Sequence, residues 1–228
     1  MAVARLTIVR TDTAGANGLA EAADRVVSEL REHEAVRLVK HFRAFPFSSV
    51  PGRVYDPPMR AVIAFADDGP ALTGAWQCTA ALAAVERFDV VAEPVRVVGD
   101  GWGATIPEES TTKLQAGDSI LAVISARLDG DTRTEFETAT AHAVRQAQCD
   151  PAYLGGCRLE ESNDDVISLS LWSTAKAGRR YAHGEGQHRD AMNAAIEWID
   201  LSSIFFITFR VVEVRGSLLG QDTFGRTR

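Results

Sequence analysis

The chain runs twice through one pattern of strands and helices, and this duplication constrains its fold more than any motif does. In the first pass, Ala4 to Arg10 reads as a strand. Gly18 to Leu38 reads as a helix, with Leu19, Ala22, Ala23, Val26, Val27 and Leu30 at helical spacing and Asn17 placed to cap it. A loop rich in Pro, Ser and Gly covers Phe45 to Pro58. Met59 to Ala66 is then a strand, Pro70 to Phe88 a helix and Val90 to Val98 a closing strand. A polar linker, Pro107 to Gly117, opens the second pass. Ser119 to Leu128 is a strand, and Asp131 and Thr132 can cap a helix to Gln148 that turns Phe136, Ala139, Ala143 and Val144 inward. Tyr153 to Glu160 and Asp165 to Trp172 are strands around an Asn-Asp-Asp turn, followed by helices about His188, one from Arg189 to Trp198, and a last strand from Ile204 to Val214.

Strands mixed with helices at short connection lengths predict an α+β fold of two tandem ferredoxin-like units, residues 1–104 and 119–228, joined by a linker at 105–118. Two such sheets can pack face to face or curve into a barrel around an apolar cavity. One chain then contains what smaller proteins assemble by dimerising, a dimeric-α/β-barrel-type architecture. Both passes close alike: Val95-Arg-Val-Val-Gly-Asp-Gly-Trp-Gly103 and Arg210-Val-Val-Glu-Val-Arg-Gly-Ser-Leu-Leu-Gly220 each run from a strand end through a turn to a Gly near an apolar side chain.

The 228 residues, 46% of them hydrophobic, suffice for one large core or two small ones. The longest apolar runs, Met59 to Ala66 and Ile204 to Phe209, fall short of the roughly 20 residues that span a bilayer. The N-terminus enters a strand pattern at once, without the charged start, apolar core and cleavage site of a signal peptide, so a cytoplasmic location is expected. Cys78, Cys149 and Cys157 lack C-x-x-C spacing, which points to reduced thiols. A net charge of -7 disfavours nonspecific binding to nucleic acid or anionic lipid, because both demand clustered positive charge.

Candidate chemistry gathers between Asp165 and Gly220. The strand ending at Trp172 runs into a helix and then into Tyr181-Ala-His-Gly-Glu-Gly-Gln-His188. A neutral imidazole here can bind a metal or haem iron, or act as an acid or base near pH 7; the plainer reading is a capping or surface His. His183 and His188 are five apart across two glycines, which is not the i, i+4 spacing of a metal pair on a helix. His188 is the better candidate because His183 lies in the glycine segment, while His33, His41 and His142 lie in polar stretches. Trp172 shares a strand face with Ser168 and Ser170, and serves as core or as the wall of a flat ligand. Tyr181 either donates a proton or covers the helix. Lys176, Arg179 and Arg180 form a solvated helix face or a clamp for a carboxylate or haem propionate. Cys157 reads as a buried inert thiol.

No G-x-x-x-x-G-K-[ST] loop, G-x-G-x-x-G after a strand, H-E-x-x-H or G-x-S-x-G elbow is present, which removes the main signals of nucleotide-dependent, zinc-protease and hydrolase chemistry. Gly99-Asp-Gly101-Trp-Gly103 reads as a turn.

Ser170-Leu-Trp172, Ala177 to Tyr181, Gly186-Gln-His188, Arg189 to Trp198, Thr208-Phe-Arg-Val211 and Gly216-Ser-Leu218 follow in the order seen in the spheroidene monooxygenases of carotenoid biosynthesis, and the chain resembles that family over most of its length. Gly52-Arg-Val-Tyr55-Asp-Pro57-Pro58 before Arg60 to Ala66, and Gly101-Trp102-Gly103, resemble its first-half elements. A Trp is missing around Ala66-Asp67, and Leu218 stands where the family has a Trp. More broadly, the chain is similar to the dimeric α/β-barrel monooxygenases of antibiotic biosynthesis and to haem-degrading enzymes.

The resemblance implies a haem-dependent monooxygenase acting on an apolar substrate, with a separate electron donor. It makes His188 the axial ligand, Trp172, Tyr181 and Phe206 the cavity wall, and Arg179 or Arg180 the propionate partner. Two alternatives stay open. One is a cofactor-free monooxygenase or cyclase in which Trp172, Tyr181 and His188 orient a polycyclic aromatic substrate that supplies its own carbanion to oxygen. The other is a non-catalytic module that binds a hydrophobic ligand or haem.

Overall fold

Eight antiparallel strands close on themselves in the order β1-β3-β2-β6-β7-β5-β8-β4. They are β1 (Val3–Arg10), β2 (Val36–Pro46), β3 (Met59–Ala66), β4 (Glu86–Val98), β5 (Ile120–Leu128), β6 (Tyr153–Glu160), β7 (Asp165–Trp172) and β8 (Ile199–Gly216). The helices are α1 (Ala16–Glu32), α2 (Gly69–Ala75), α3 (Arg133–Gln148), α4 (Ala175–His183) and α5 (Gln187–Ala195), with a 3₁₀ turn at Trp76–Ala81 after α2. The computed structural model describes residues 2–11, 16–46, 59–82, 84, 86–99, 102, 113–129, 132–161, 165–184 and 186–217. The 52–58 segment, Gly101, Gly103, most of the linker, Asp131, Leu218, and the side chain of Asn17 lie outside the described residues.

Each half arranges its strands in the ferredoxin-like order, β4-β1-β3-β2 in the first and β8-β5-β7-β6 in the second. The halves join at two seams, β4 with β8 and β2 with β6. Each seam holds a nearly buried glutamate against an arginine of the other half. Arg210 Nε donates to Glu93 Oε2 at 3.0 Å across the first, and Arg43 Nη2 donates to Glu160 Oε2 at 3.1 Å across the second. Glu160 also receives Arg133 Nη1 at 2.8 Å. A slip of the β4–β8 seam would strand the Glu93 charge, which costs several kcal/mol on the order of magnitude known for broken buried pairs, so this contact fixes the register there, whereas Glu160 keeps Arg133 and Arg158 of its own half.

The two sheet faces have different fates because successive residues of a strand point to opposite sides. Leu6, Ile8, Phe65, Phe88, Val123, Leu169, Phe205 and Phe209 point inward and fill the barrel. Trp102, in a turn after β4, packs its ring on Phe42, Phe65 and Phe205 with centroids 5.7, 6.0 and 5.4 Å away. Of the two arrangements open from the sequence, sheets packed face to face or a barrel around an apolar cavity, the chain forms the barrel, and its interior is a packed core. On the outer face of the first half, Leu19, Val26, Leu30, Leu72, Trp76 and Leu82 fill the layer between helices and sheet. Among the described residues, no helix is long and apolar enough to cross a membrane.

Several element boundaries differ from the sequence expectation. The helix expected to reach Leu38 stops at Glu32, and β2 takes over at Val36. The helix expected over Pro70 to Phe88 is one short helix and a 3₁₀ turn, with β4 beginning at Glu86. Thr132 does not cap α3 through its side chain. Its hydroxyl donates instead to the carbonyls of Asp129 and Trp198, at 2.9 and 3.1 Å.

Gly216 ends β8 with φ +84°, and a Cβ there would lie 2.0 Å from the Arg87 carbonyl oxygen across the seam. Gly216→Ala meets both an unfavourable backbone region and a backbone clash. The expected loss is about 2–4 kcal/mol by urea unfolding; an unchanged midpoint would contradict this placement of the strand end.

Candidate functional site

The helical layer of the second half leaves a cavity of about 120 Å³. Its floor is the outer face of the sheet: Ile124 and Ala126 of β5, Val166, Ser168 and Ser170 of β7, and Ile204 and Phe206 of β8. Register places these side by side, because Ile124 pairs with both Ser168 and Phe206. The roof is α3 and α5. Small residues create the space: Ala139, Ala143 and Ala147 recur on one face of α3, and the sheet offers Ser168 and Ser170 below them. Met192 and Ala195 of α5, with Trp198 after it, close one side. The cavity thus lies between sheet and helices and outside the barrel.

A row of four rings borders it. Tyr153 and Trp172 have centroids 5.2 Å apart, Trp172 and Tyr181 4.9 Å, and Tyr181 and His188 4.2 Å. Tyr153, Tyr181 and His188 line the cavity, whereas Trp172 does not. Trp172 is only 1% exposed, wedged among Ile120, Ala147, Ala175 and Ala177, so it supports the wall from behind instead of forming it as expected. Its indole Nε1–H donates to Ser170 Oγ at 3.1 Å. The Tyr181 hydroxyl donates to the Ala143 carbonyl at 3.0 Å. Burial raises its pKa, so it stays protonated and committed to the backbone. Proton donation by Tyr181, one of its two sequence readings, is therefore blocked by its own hydrogen bond.

His188 is the one imidazole facing this cavity. Its Nδ1 is buried without a hydrogen-bond partner among the described residues. Burial lowers its pKa, and the charge of His183 lowers it further, so the ring is neutral at pH 7. An unpaired buried polar atom is costly unless a ligand or water satisfies it, which makes His188 the candidate residue of this cavity.

Gln146, a residue that sequence reasoning passed over, holds His188 in place. Its Oε1 accepts the His188 backbone N–H at 2.9 Å, and its carboxamide lies where a Cβ on Gly186, at φ +117°, would come within 2.8 Å. The α3 helix therefore anchors both stacked rings, one through Ala143 and one through Gln146. Gln146→Ala is expected to cost about 1 kcal/mol in urea unfolding and to remove the exchange protection of the His188 amide. Retained protection would show that the bond is dispensable.

Arg179 and Arg180 are exposed and stand off the cavity lining. Arg180 is tied to Asp150 by an ion pair at the surface. The residues present do not make a haem site. His188 has a nitrogen unpaired among the described residues, but no Lys or Arg is among the described residues that line the cavity to meet propionates. A volume near that of an engineered benzene-binding cavity, roughly 150 Å³, is also far below what a macrocycle needs. Phe206 lines this cavity, and Cys157 is buried in the barrel with its thiol pushed up to about 12. Among the described residues, no three His, Cys, Asp or Glu side chains converge to hold a metal ion.

No family model and no curated protein matches the chain. Solved structures similar to it include a proposed monooxygenase from Fusobacterium nucleatum, 10% identical over 95% of this chain and 96% of that one, with a TM-score of 0.42. An anthrone oxidase-like protein is 10% identical over 94% of this chain and 93% of that one, with a TM-score of 0.39. SnoaB, a cofactor-independent oxygenase from Streptomyces nogalater, is 15% identical over 46% of this chain and 99% of its own, with a TM-score of 0.37.

Proposed function

We propose that the protein is a cofactor-independent oxygenase of electron-rich phenols, with the reacting ring in the cavity of the second half and His188 as the general base. The observation that carries this reading is the neutral imidazole of His188 lining an otherwise apolar, aromatic-walled cavity, with its Nδ1 buried and unpaired among the described residues. A base must be neutral to take a proton, and a desolvated site strengthens its interaction with the anion it creates. The volume suits a single ring, which narrows the polycyclic class first expected.

The chemistry balances without a further reductant. His188 takes the phenolic proton, and the resulting phenolate is a carbanion at its ring carbon. That carbon forms a C–O bond to O₂, and the imidazolium of His188 returns its proton to the peroxide oxygen, giving a hydroperoxide and regenerating the neutral base. Loss of water then breaks the O–O bond and leaves a carbonyl where a C–H stood, so one O₂ converts one quinol to one hydroxyquinone and one water. The apolar walls exclude bulk water from the anion, and the Tyr181 ring packs against the imidazole at a tilt of 48°.

The test is oxygen uptake by chelator-treated protein supplied with 1,2,4-trihydroxybenzene, corrected for the protein-free rate. One O₂ consumed per dihydroxybenzoquinone formed, without hydrogen peroxide, is the expected result; hydroxybenzoquinone with hydrogen peroxide would be plain autoxidation. Uptake that appears only when a metal or haem is added back would overturn the reading. Binding without any uptake would instead favour the ligand-binding module.

A further inference from the structure

Ser170 is the one hydroxyl of the cavity floor with an indole behind it. Its oxygen accepts the Trp172 Nε1–H, and its own proton has no acceptor among the described residues. A hydroxyl that accepts one hydrogen bond still has a proton to donate, and the accepted bond polarises it into a better donor. We propose that Ser170, backed by Trp172, binds the oxygen of an aromatic ligand, so that the cavity selects phenols and aryl ketones over hydrocarbons of the same shape. This rests on the cavity being the ligand site of the proposed oxygenase. It adds a group that the base alone does not supply: a donor for the oxygen on which negative charge develops when His188 removes the proton. Ser168, two residues along the same strand and also on the cavity floor, has no such backing and is the internal control. Ser170 is then a binding residue, and Trp172 is a positioning residue acting through it.

The experiment compares 4-fluorophenol with 4-fluorotoluene, which differ only by hydroxyl for methyl, and follows binding to the full chain by ¹⁹F NMR. The quantity read is the ratio of their dissociation constants. Ser170→Ala is expected to lower the preference for the phenol roughly tenfold while leaving 4-fluorotoluene affinity unchanged, since only the hydrogen-bonded analogue loses a partner. Trp172→Phe keeps a ring in place but removes the N–H, and is expected to lower the preference about threefold, again without changing 4-fluorotoluene affinity. A merely structural role for Trp172 would weaken both probes together.

The assignment is overturned if the ratio is unchanged in Ser170→Ala, if Ser168→Ala reproduces the whole effect, or if neither probe binds. Oxygen uptake is a separate readout. Selectivity that depends on Ser170 in a protein consuming no oxygen keeps this assignment and removes the oxygenase. Uptake undiminished in Ser170→Ala, with the ratio unchanged, does the reverse.

Discussion

His188→Ala is expected to reduce kcat/KM for phenol-dependent oxygen uptake by about 10²–10⁴-fold, the range that a positioned general base contributes. The ring sits at the start of α5 on Tyr181, and the Gln146 contact is made to its backbone, so the substitution removes the imidazole and leaves that anchor in place. The fold should survive the change, and circular dichroism of the variant checks this. The pH profile carries the same information. With its pKa held below that of a free imidazole by burial and by His183, the base stays neutral further into acid than an exposed His would. The acid limb of kcat/KM should therefore fall below the ordinary His range near 6.5. His183→Ala removes a neighbouring charge that pushes the pKa down, so it should move that limb to higher pH.

The same lowering has a stability consequence whose sign is fixed. A His whose folded pKa is depressed binds fewer protons folded than unfolded in the interval between the two pKa values. Stability is then full above the unfolded value and declines as pH falls toward the folded one. His41, also lowered chiefly by burial despite the raising influence of Asp24, acts in the same direction.

Trp172→Ala is expected to cost about 3–5 kcal/mol, the largest stability change of any single side chain near the site. Trp172 is almost fully buried, touches Tyr153 and Tyr181 ring to ring, and seats α4 on the sheet through Ala175 and Ala177. Urea unfolding measures the loss. A cost under about 1 kcal/mol would mean that the indole is not packed as described.

Legibility in the sequence followed how directly each segment's pattern reports its surroundings. β7 could be read because Val166-Ile-Ser-Leu-Ser-Leu-Trp172 alternates between a filled barrel and a cavity floor. β2 could not, because Lys40, His41 and Arg43 interrupt its alternation, and their partners are remote: Glu161, Asp24 and Glu160. The end of α1 was hidden as well. No Gly or Pro marks it, and the turn is held locally by His33, whose Nδ1 accepts the Ala35 N–H at 3.3 Å.

At the site, the sequence singled out Tyr181 and His188 from one short stretch and the family resemblance added Phe206, and all three line the cavity. It could not separate a side chain that lines a cavity from one that stands behind it, which is why Trp172 was placed one layer too far forward. Gln146 carried no signal, since its role depends on α3 packing beside α5, 42 residues along the chain. Arg179 and Arg180 misled because adjacent positive charge on a helix says nothing about which way that helix faces.

The central claim is that a ligand enters the sheet–helix cavity of the second half and meets the unpaired imidazole there. Carbon-13 NMR of the five histidine rings during titration with phenol tests it directly. The account predicts that the His188 resonances shift saturably while those of His33, His41 and His142 hold still. A saturable shift centred on another histidine, or phenol binding that leaves His188 unmoved, would contradict it.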